Sequence, residues 1–229
     1  MNNKQLQNVL ISDSWKKTFP GTFTGVLMMN NVINKKNNES LRKKRTEVET
    51  DIKRRFSDKT KDDIKALPIM QAYKDHYKKF NKSYHVRLQL ESVILKGKSN
   101  PNSNAIVEAM FMAELKNLLL TASHDLDFTE LPVTFDASTG QEVFTTIYGK
   151  EQQLKPSDMI MKDSNGVICS VIYGPDNKTR VREDTKRVLY TVYTPVGISR
   201  KQIQEHLKDI QSNVLLFSPQ AKTELIEVF

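Results

Sequence analysis

The chain has 229 residues, with 38% hydrophobic and 27% charged side chains, a globular composition with ample length for a core. Thirty-five Lys and Arg against 27 Asp and Glu leave a formal charge of +8, and the excess is uneven. Residues 1–100 carry 22 basic and 10 acidic side chains, residues 101–229 carry 13 and 17, which points to a basic face meant for an anion or to well-solvated Lys-rich helices. The single cysteine, Cys169, excludes an internal disulfide framework and a thiolate zinc site and fits a reducing compartment. No run approaches the ~18 apolar residues of a membrane span, and the first 25 residues lack an apolar signal core, so a cytoplasmic protein is expected.

In chain order, Phe23–Val32 reads as a strand and the Asn/Lys cluster at 34–38 as a turn. A helix follows over Glu39–Phe56, whose apolar stripe (Leu41, Val48, Ile52, Phe56) is narrow and whose basic face is broad. Thr60 and Asp63 form a capping-box pattern for a short helix that Pro68 ends. Pro68 then suits the first turn of a helix reaching Phe80. Ser83–Leu95 is predicted as another, with Gly97 as its stop. The run "NPNSNAIVEAMFMAELKNLLL" opens with turn chemistry and becomes a nearly all-apolar, central helix, Asn104–Leu120.

Strands dominate after "SHDLD", which is expected as a loop. Pro132–Asp136, Glu142–Tyr148, Asp158–Lys162, Val167–Tyr173 and Arg187–Tyr193 are short β-rich runs, with Asn165–Gly166 as the strongest hairpin signal. A helix over Ser199–Asp209 and a last short helix after Ser218–Pro219 complete an α+β fold. One unit over 1–229 is expected, with its N-terminal strand returning to the sheet.

Chemistry is sparsely signalled. No histidine pair has i,i+3 or i,i+4 spacing, so no metal site is expected. No Walker loop, dinucleotide Gly-rich turn or Gly-x-Ser-x-Gly elbow occurs, so neither a cofactor nor a dinucleotide partner is expected. His124 with Asp125 and Asp127 presents an imidazole and two carboxylates that suit a cation, an amine or a positioned water, or else an Asx turn. In "YGPDNKTRVREDT", Lys178, Arg180 and Arg182 share a strand face beside Tyr173, suited to phosphate or carboxylate, or simply a charge-protected edge. The triplets Lys43–Lys44–Arg45 and Lys53–Arg54–Arg55 recur about three helical turns apart, a candidate cation stripe for RNA phosphates; Lys78 and Lys79 are further candidates.

The order "PIMQAYKDHYKKF", "YHVRLQLESVILKGKSNPNSNAIVEAMFMAEL", "SHDLD", "GQEVF", "PSDMIMKDSNGVICSVIYG", "NKTRVREDTKRVLY" resembles the B3/B4 domain of the phenylalanyl-tRNA synthetase beta subunit, and free-standing bacterial proteins made of that domain. The likeness covers roughly Pro68–Tyr193, with a basic segment at 35–66 before it and helices at 199–229 after it. It implies tRNA or aminoacyl-tRNA as partner and hydrolysis of a mischarged aminoacyl ester in trans; a non-enzymatic module for RNA or an amino-acid-like ligand is the alternative. It also implies a pocket between the Asn104 helix and the sheet, bounded by His124, Asp125, Tyr148, Tyr173 and Arg180. Asn104 and Asp125 fall on matching family positions, and Glu108 replaces the usual aspartate. The synthetase's editing histidine falls on Ala122, its helix asparagine on Phe111, and its tyrosine-reading glutamate near Thr191. These departures leave no catalytic set to name.

Overall fold

The computed structural model describes residues 6–36, 38–97 and 103–229. The predicted turns at 34–38 and 100–103 therefore lie partly outside the described residues, at Asn37 and at 100–102.

A four-stranded antiparallel sheet forms the centre, in the order β11 (Lys222–Val228), β2 (Thr24–Asn30), β10 (Val188–Tyr193), β3 (Leu120–Asp125). β2 and β10 carry unbroken buried runs because both of their faces are covered. On one face lie α6 (Ala105–Asn117) and α7 (Arg200–Phe217); Tyr190 donates its hydroxyl to the carbonyl of Ile106 at 3.0 Å, and His206 meets Thr121 Oγ1 at 2.6 Å. The other face looks toward a second sheet of β1 (Val9–Ile11), β4 (Val133–Ala137), β7 (Met159–Asp163), β8 (Gly166–Ser170) and β9 (Gly174–Pro175). Phe135 of β4 meets Tyr193 edge-on at 5.4 Å. β1 pairs parallel with β4, and the remaining pairs of this sheet are antiparallel. A small hairpin, β5 (Val143–Thr145) with β6 (Glu151–Gln153), stands beside it.

Local sequence sets the helix ends. Asn38 caps α2 (Glu39–Arg55) by accepting the Leu41 amide. Thr60 and Asp63 complete a reciprocal capping box on α3 (Lys61–Ala66). Pro68 opens α4 (Pro68–Lys78), and Gly97 closes α5 (His85–Lys96) in the left-handed conformation, φ 61°. One connected set of buried side chains runs from Trp15 in α1 (Asp13–Thr18) through the central sheet to Phe217.

Gly25 marks the closest approach of α7 to the central sheet. A Cβ there would lie 2.5 Å from Ile203 Cγ2 and 3.3 Å from Val192 Cβ, neither of which has a flexible end to move. Gly25→Ala is therefore expected to destabilise the fold by ~1–3 kcal/mol through overpacking, read as a lowered denaturation midpoint with an unchanged slope against denaturant.

Four expectations are corrected. "SHDLD" is no loop: Leu120–Asp125 is a fully buried strand, and Leu126–Phe128 is a 3-10 turn. The apolar run through Leu120 crosses two elements, because Leu118 ends α6 in the left-handed region, φ 61°. Lys178, Arg180 and Arg182 lie on no strand; Asp176 draws in the amides of Lys178 and Thr179, turning the backbone on itself. Ser218 ends α7, which runs eight residues beyond Asp209, and the chain continues as β11 rather than a last helix.

Candidate functional site

A cavity of about 510 Å³ opens between α5, α6, the edge strand β3 and the loop after β8. α6 supplies Asn104, Val107, Met110, Phe111 and Glu114, and α5 supplies His85 and Gln89. Ala122 lies on β3, Ser170–Tyr173 form the opposite wall, and Tyr148 and Arg180 stand at the rim. Tyr148 is 86% exposed and marks the mouth.

Of the residues singled out in the sequence, Asn104, Tyr148, Tyr173 and Arg180 meet at this cavity, together with Phe111 and Ala122. Asn104 is also the N-cap of α6, accepting the Val107 amide at 3.1 Å. Arg180 is held in place by donating to the backbone and side-chain oxygens of Asn177.

Glu108, His124, Asp125 and Thr191 are not among the lining residues. Glu108 sits one turn along α6 and forms an ion pair with Arg45 at 2.9 Å, holding α2 against α6. Burial pushes its carboxyl above the usual range, with Arg45 opposing that shift. His124 is fully buried; its Nδ1 meets Thr179 Oγ1 at 2.8 Å, and Thr179 in turn donates to Asp176. Desolvation holds His124 neutral, pushed down to about 4. Asp125 accepts the Asp127 amide at 3.0 Å and the Thr185 hydroxyl at 2.6 Å, so both oxygens are used in local turns. Thr191 is buried in β10 opposite Ala122.

The α2 stripe is largely internally neutralised. Lys43 pairs with Glu39 at 3.5 Å, Lys44 with Glu47 at 3.1 Å and Arg54 with Asp51 at 2.6 Å. Arg45 turns inward, and Arg55 donates to the carbonyl of Lys116 while stacking on Phe56. Among the described residues Lys53 has no carboxylate partner.

A second cationic surface lies between α4 and α5. A groove of about 500 Å³ is lined by Lys65, Lys74, Lys78, Lys82 and Arg87, and no carboxylate lines it. Lys65 and Arg87 pair with Asp62 and Glu91; among the described residues Lys74, Lys78 and Lys82 have no acidic partner. The Lys82 ammonium stands 6.0 Å from the centre of the Tyr173 ring, which lines the cavity. Lys79 lies on the same helix end but not in the groove.

Glu114 is the lining residue that the sequence reading missed. Its one sequence signal is an acid inside "AIVEAMFMAEL". It is fully buried, accepts the Thr121 amide at 2.7 Å, and is pushed up to about 8 by desolvation. Cys169 is buried in the wall, with its thiol pushed up to about 12. Among the described residues no cluster of three metal-ligating side chains occurs, and no helix is long and apolar enough to cross a membrane.

The structure is an α+β scaffold of mixed sheets and helices, with a mostly apolar cavity opening beside a basic groove. The chain belongs to the B3/4 domain family, whose model matches residues 69–214. It is similar in fold to an N-terminal fragment of the phenylalanyl-tRNA synthetase beta subunit from Pyrococcus horikoshii, with a TM-score of 0.51 and 12% identity. That match covers 96% of this chain and 53% of the fragment, so the chain spans about half the fragment's length. No curated protein matches the sequence.

Proposed function

We propose that this protein binds aminoacyl-tRNA, takes the aminoacyl end into the cavity beside α6 and promotes hydrolysis of the ester. The observation that carries this reading is the juxtaposition of cavity and groove across α5, joined where Lys82 approaches Tyr173. Phosphates along the groove would place a strand end at the cavity mouth. The reaction adds water across the ester, releasing the amino acid and the ribose hydroxyl. The ester is already activated, so holding it beside a positioned water supplies much of the acceleration.

A non-enzymatic binding module is the second reading. The polar groups of the synthetase site are replaced by Ala122, Phe111 and Thr191, and Ser170 is occupied, donating to Asp158 and accepting the amides of Ile172 and Tyr173. Purified protein incubated with a panel of correctly and wrongly charged tRNAs separates the two. Ester half-lives equal to the protein-free control, with tRNA still retained, leave only the binding module; no retention at low salt removes the tRNA readings and leaves only a module for an amino-acid-like ligand.

The groove sets the direction of a charge-reversal test. Lys74→Glu, Lys78→Glu and Lys82→Glu together are expected to weaken tRNA binding at least ~10-fold and to flatten its salt dependence by roughly 2–3 in log–log slope. The matching Lys43, Lys44 and Lys53 variant is expected to do less, since two of those three already face acids on α2. An equal or larger loss from the α2 variant assigns the RNA contact to that helix instead.

A further inference from the structure

The cavity wall is apolar along Val107, Met110, Phe111, Val171 and Ile172. Its polar lining includes two buried, unpartnered acceptor atoms, beside the buried hydroxyl of Tyr193. Glu114 spends one carboxyl oxygen on the Thr121 amide, while Oε2 is buried and unpartnered among the described residues. Gln89 reaches the same cavity from α5, and its side-chain oxygen is likewise buried without a partner. Buried polar atoms are almost always paired, so two orphaned acceptors on one cavity mark a place for a ligand's donors.

We propose that the cavity selects ligands carrying a free primary amine, accepted by the Glu114 carboxyl and the Gln89 amide oxygen, with the ligand's apolar body against Phe111 and Val171. This rests on the aminoacyl-tRNA reading, in which the amine is the α-amino group of the esterified amino acid.

An ammonium fits better than a neutral donor for a stated reason. Among the described residues no basic side chain pairs with Glu114, and the titratable groups near it are the phenols of Tyr73, Tyr77 and Tyr84, all held neutral by burial. Desolvation thus pushes the carboxyl toward its neutral form where no cation faces it. An arriving ammonium supplies the missing charge: Glu114 gives its proton to solvent and accepts a charge-assisted hydrogen bond. Anionic groups are disfavoured at this end and favoured at the rim, where Arg180 stands. The polarity therefore runs from an acid inside to a base at the mouth, matching a ligand with its amine inward and its phosphates outward. An N-acylated ligand offers one uncharged N–H where three donors fit, and adds a carbonyl facing Glu114.

The test uses L-phenylalaninamide and its N-acetyl derivative as probes, titrated into the whole protein by NMR. The free amine is expected to bind at least tenfold more tightly than the acetylated probe. In Glu114→Gln, which keeps an acceptor for Thr121, that preference is expected to fall below about threefold. Gln89→Leu reads the same preference without touching the buried carboxyl, and serves if Glu114→Gln does not fold. Equal binding of both probes to the wild type, a preference that survives both substitutions, or no binding of either probe overturns the proposal. None of these outcomes depends on tRNA, so failure of the aminoacyl-tRNA reading appears separately, as loss of tRNA retention with the amine preference intact.

Discussion

Replacing Tyr73 by Phe destabilises the protein by on the order of 3 kcal/mol while leaving the core filled. The Tyr73 hydroxyl donates to the carbonyl of Tyr193 at 2.7 Å and accepts the amide of Leu120 at 3.0 Å. Leu120 and Tyr193 are cross-strand partners at the end of the β3–β10 ladder, so one hydroxyl closes the last rung between two buried strands. The ring itself stacks on Tyr84 at 4.1 Å, and phenylalanine keeps that contact. What is lost is the pairing of a buried N–H and a buried C=O, whose desolvation then goes uncompensated. Equilibrium denaturation reads the change; a loss below about 1 kcal/mol would show that the backbone closes the rung without the hydroxyl.

Stability is expected to be highest between about pH 4.5 and 6.5 and to fall on both sides. His76, His124 and His206 are each pushed down to about 4 by desolvation. Their contribution is whole above the ordinary histidine value of 6.5 and is lost as pH falls through 4, because the unfolded chain then binds protons that the fold excludes. Glu142, drawn down to about 2 by hydrogen bonds from Thr139 and Ser138 against the pull of burial, adds to the acid loss below 4.5. The alkaline side has the opposite sign. Desolvation pushes Glu114 up to about 8 and Asp158 up to about 7, so their stabilisation is whole below ordinary carboxyl values and is lost as pH rises through 7 and 8. Between 4.5 and 6.5 these three histidines, with His85 also pushed down by desolvation, are opposed by Glu114 and Asp158 and by the upward shifts of Glu108 and Asp176; above 6.5 the carboxyls act alone, and stability falls. Glu114→Gln should flatten the alkaline limb and, between 4.5 and 6.5, shift the balance toward the histidines, whose slope Glu114 opposes there. Denaturation midpoints from pH 4 to 9 check both, and an unchanged alkaline limb in that variant would assign the fall to other groups.

The helical half was legible because its signals are local. The Thr60–Asp63 box, Pro68 and Gly97 each act within a few residues, and each stands where the pattern puts it. Several strands are legible but trimmed, while β1, β3 and β6 go unread, and β11 reads as helix because Lys222–Val228 mixes charge with apolar residues and draws its order from pairing with β2. The site was partly legible. Asn104, Tyr173 and Arg180 reach the cavity, but a carboxylate's direction depends on its neighbours: Glu108 was taken by Arg45, and Asp125 by Thr185. His124 drew attention as an imidazole beside acids, yet the parity of a strand not recognisable in "SHDLD" buries it. Glu114 looked like one more residue of a central helix, and only the bend of the chain at Leu118 brings the Thr121 amide back onto it.

That buried histidine also governs how the cavity can be entered. His124 is joined to Thr179, and Thr179 to Asp176, while the backbone of Arg180 bridges to His124 itself. The rim that carries Arg180 is thus bolted to the buried edge strand β3, and widening it would break several buried links at once. Across the mouth, Tyr148 sits in a short turn pinned to the segment 175–177 by the Ile147 amide on Pro175, the Asn177 amide on Thr145 and the Asn177 side chain on Ile147. Both sides of the mouth thus hang on the segment around Asp176, and a change there would be felt at Tyr148 and Arg180 together.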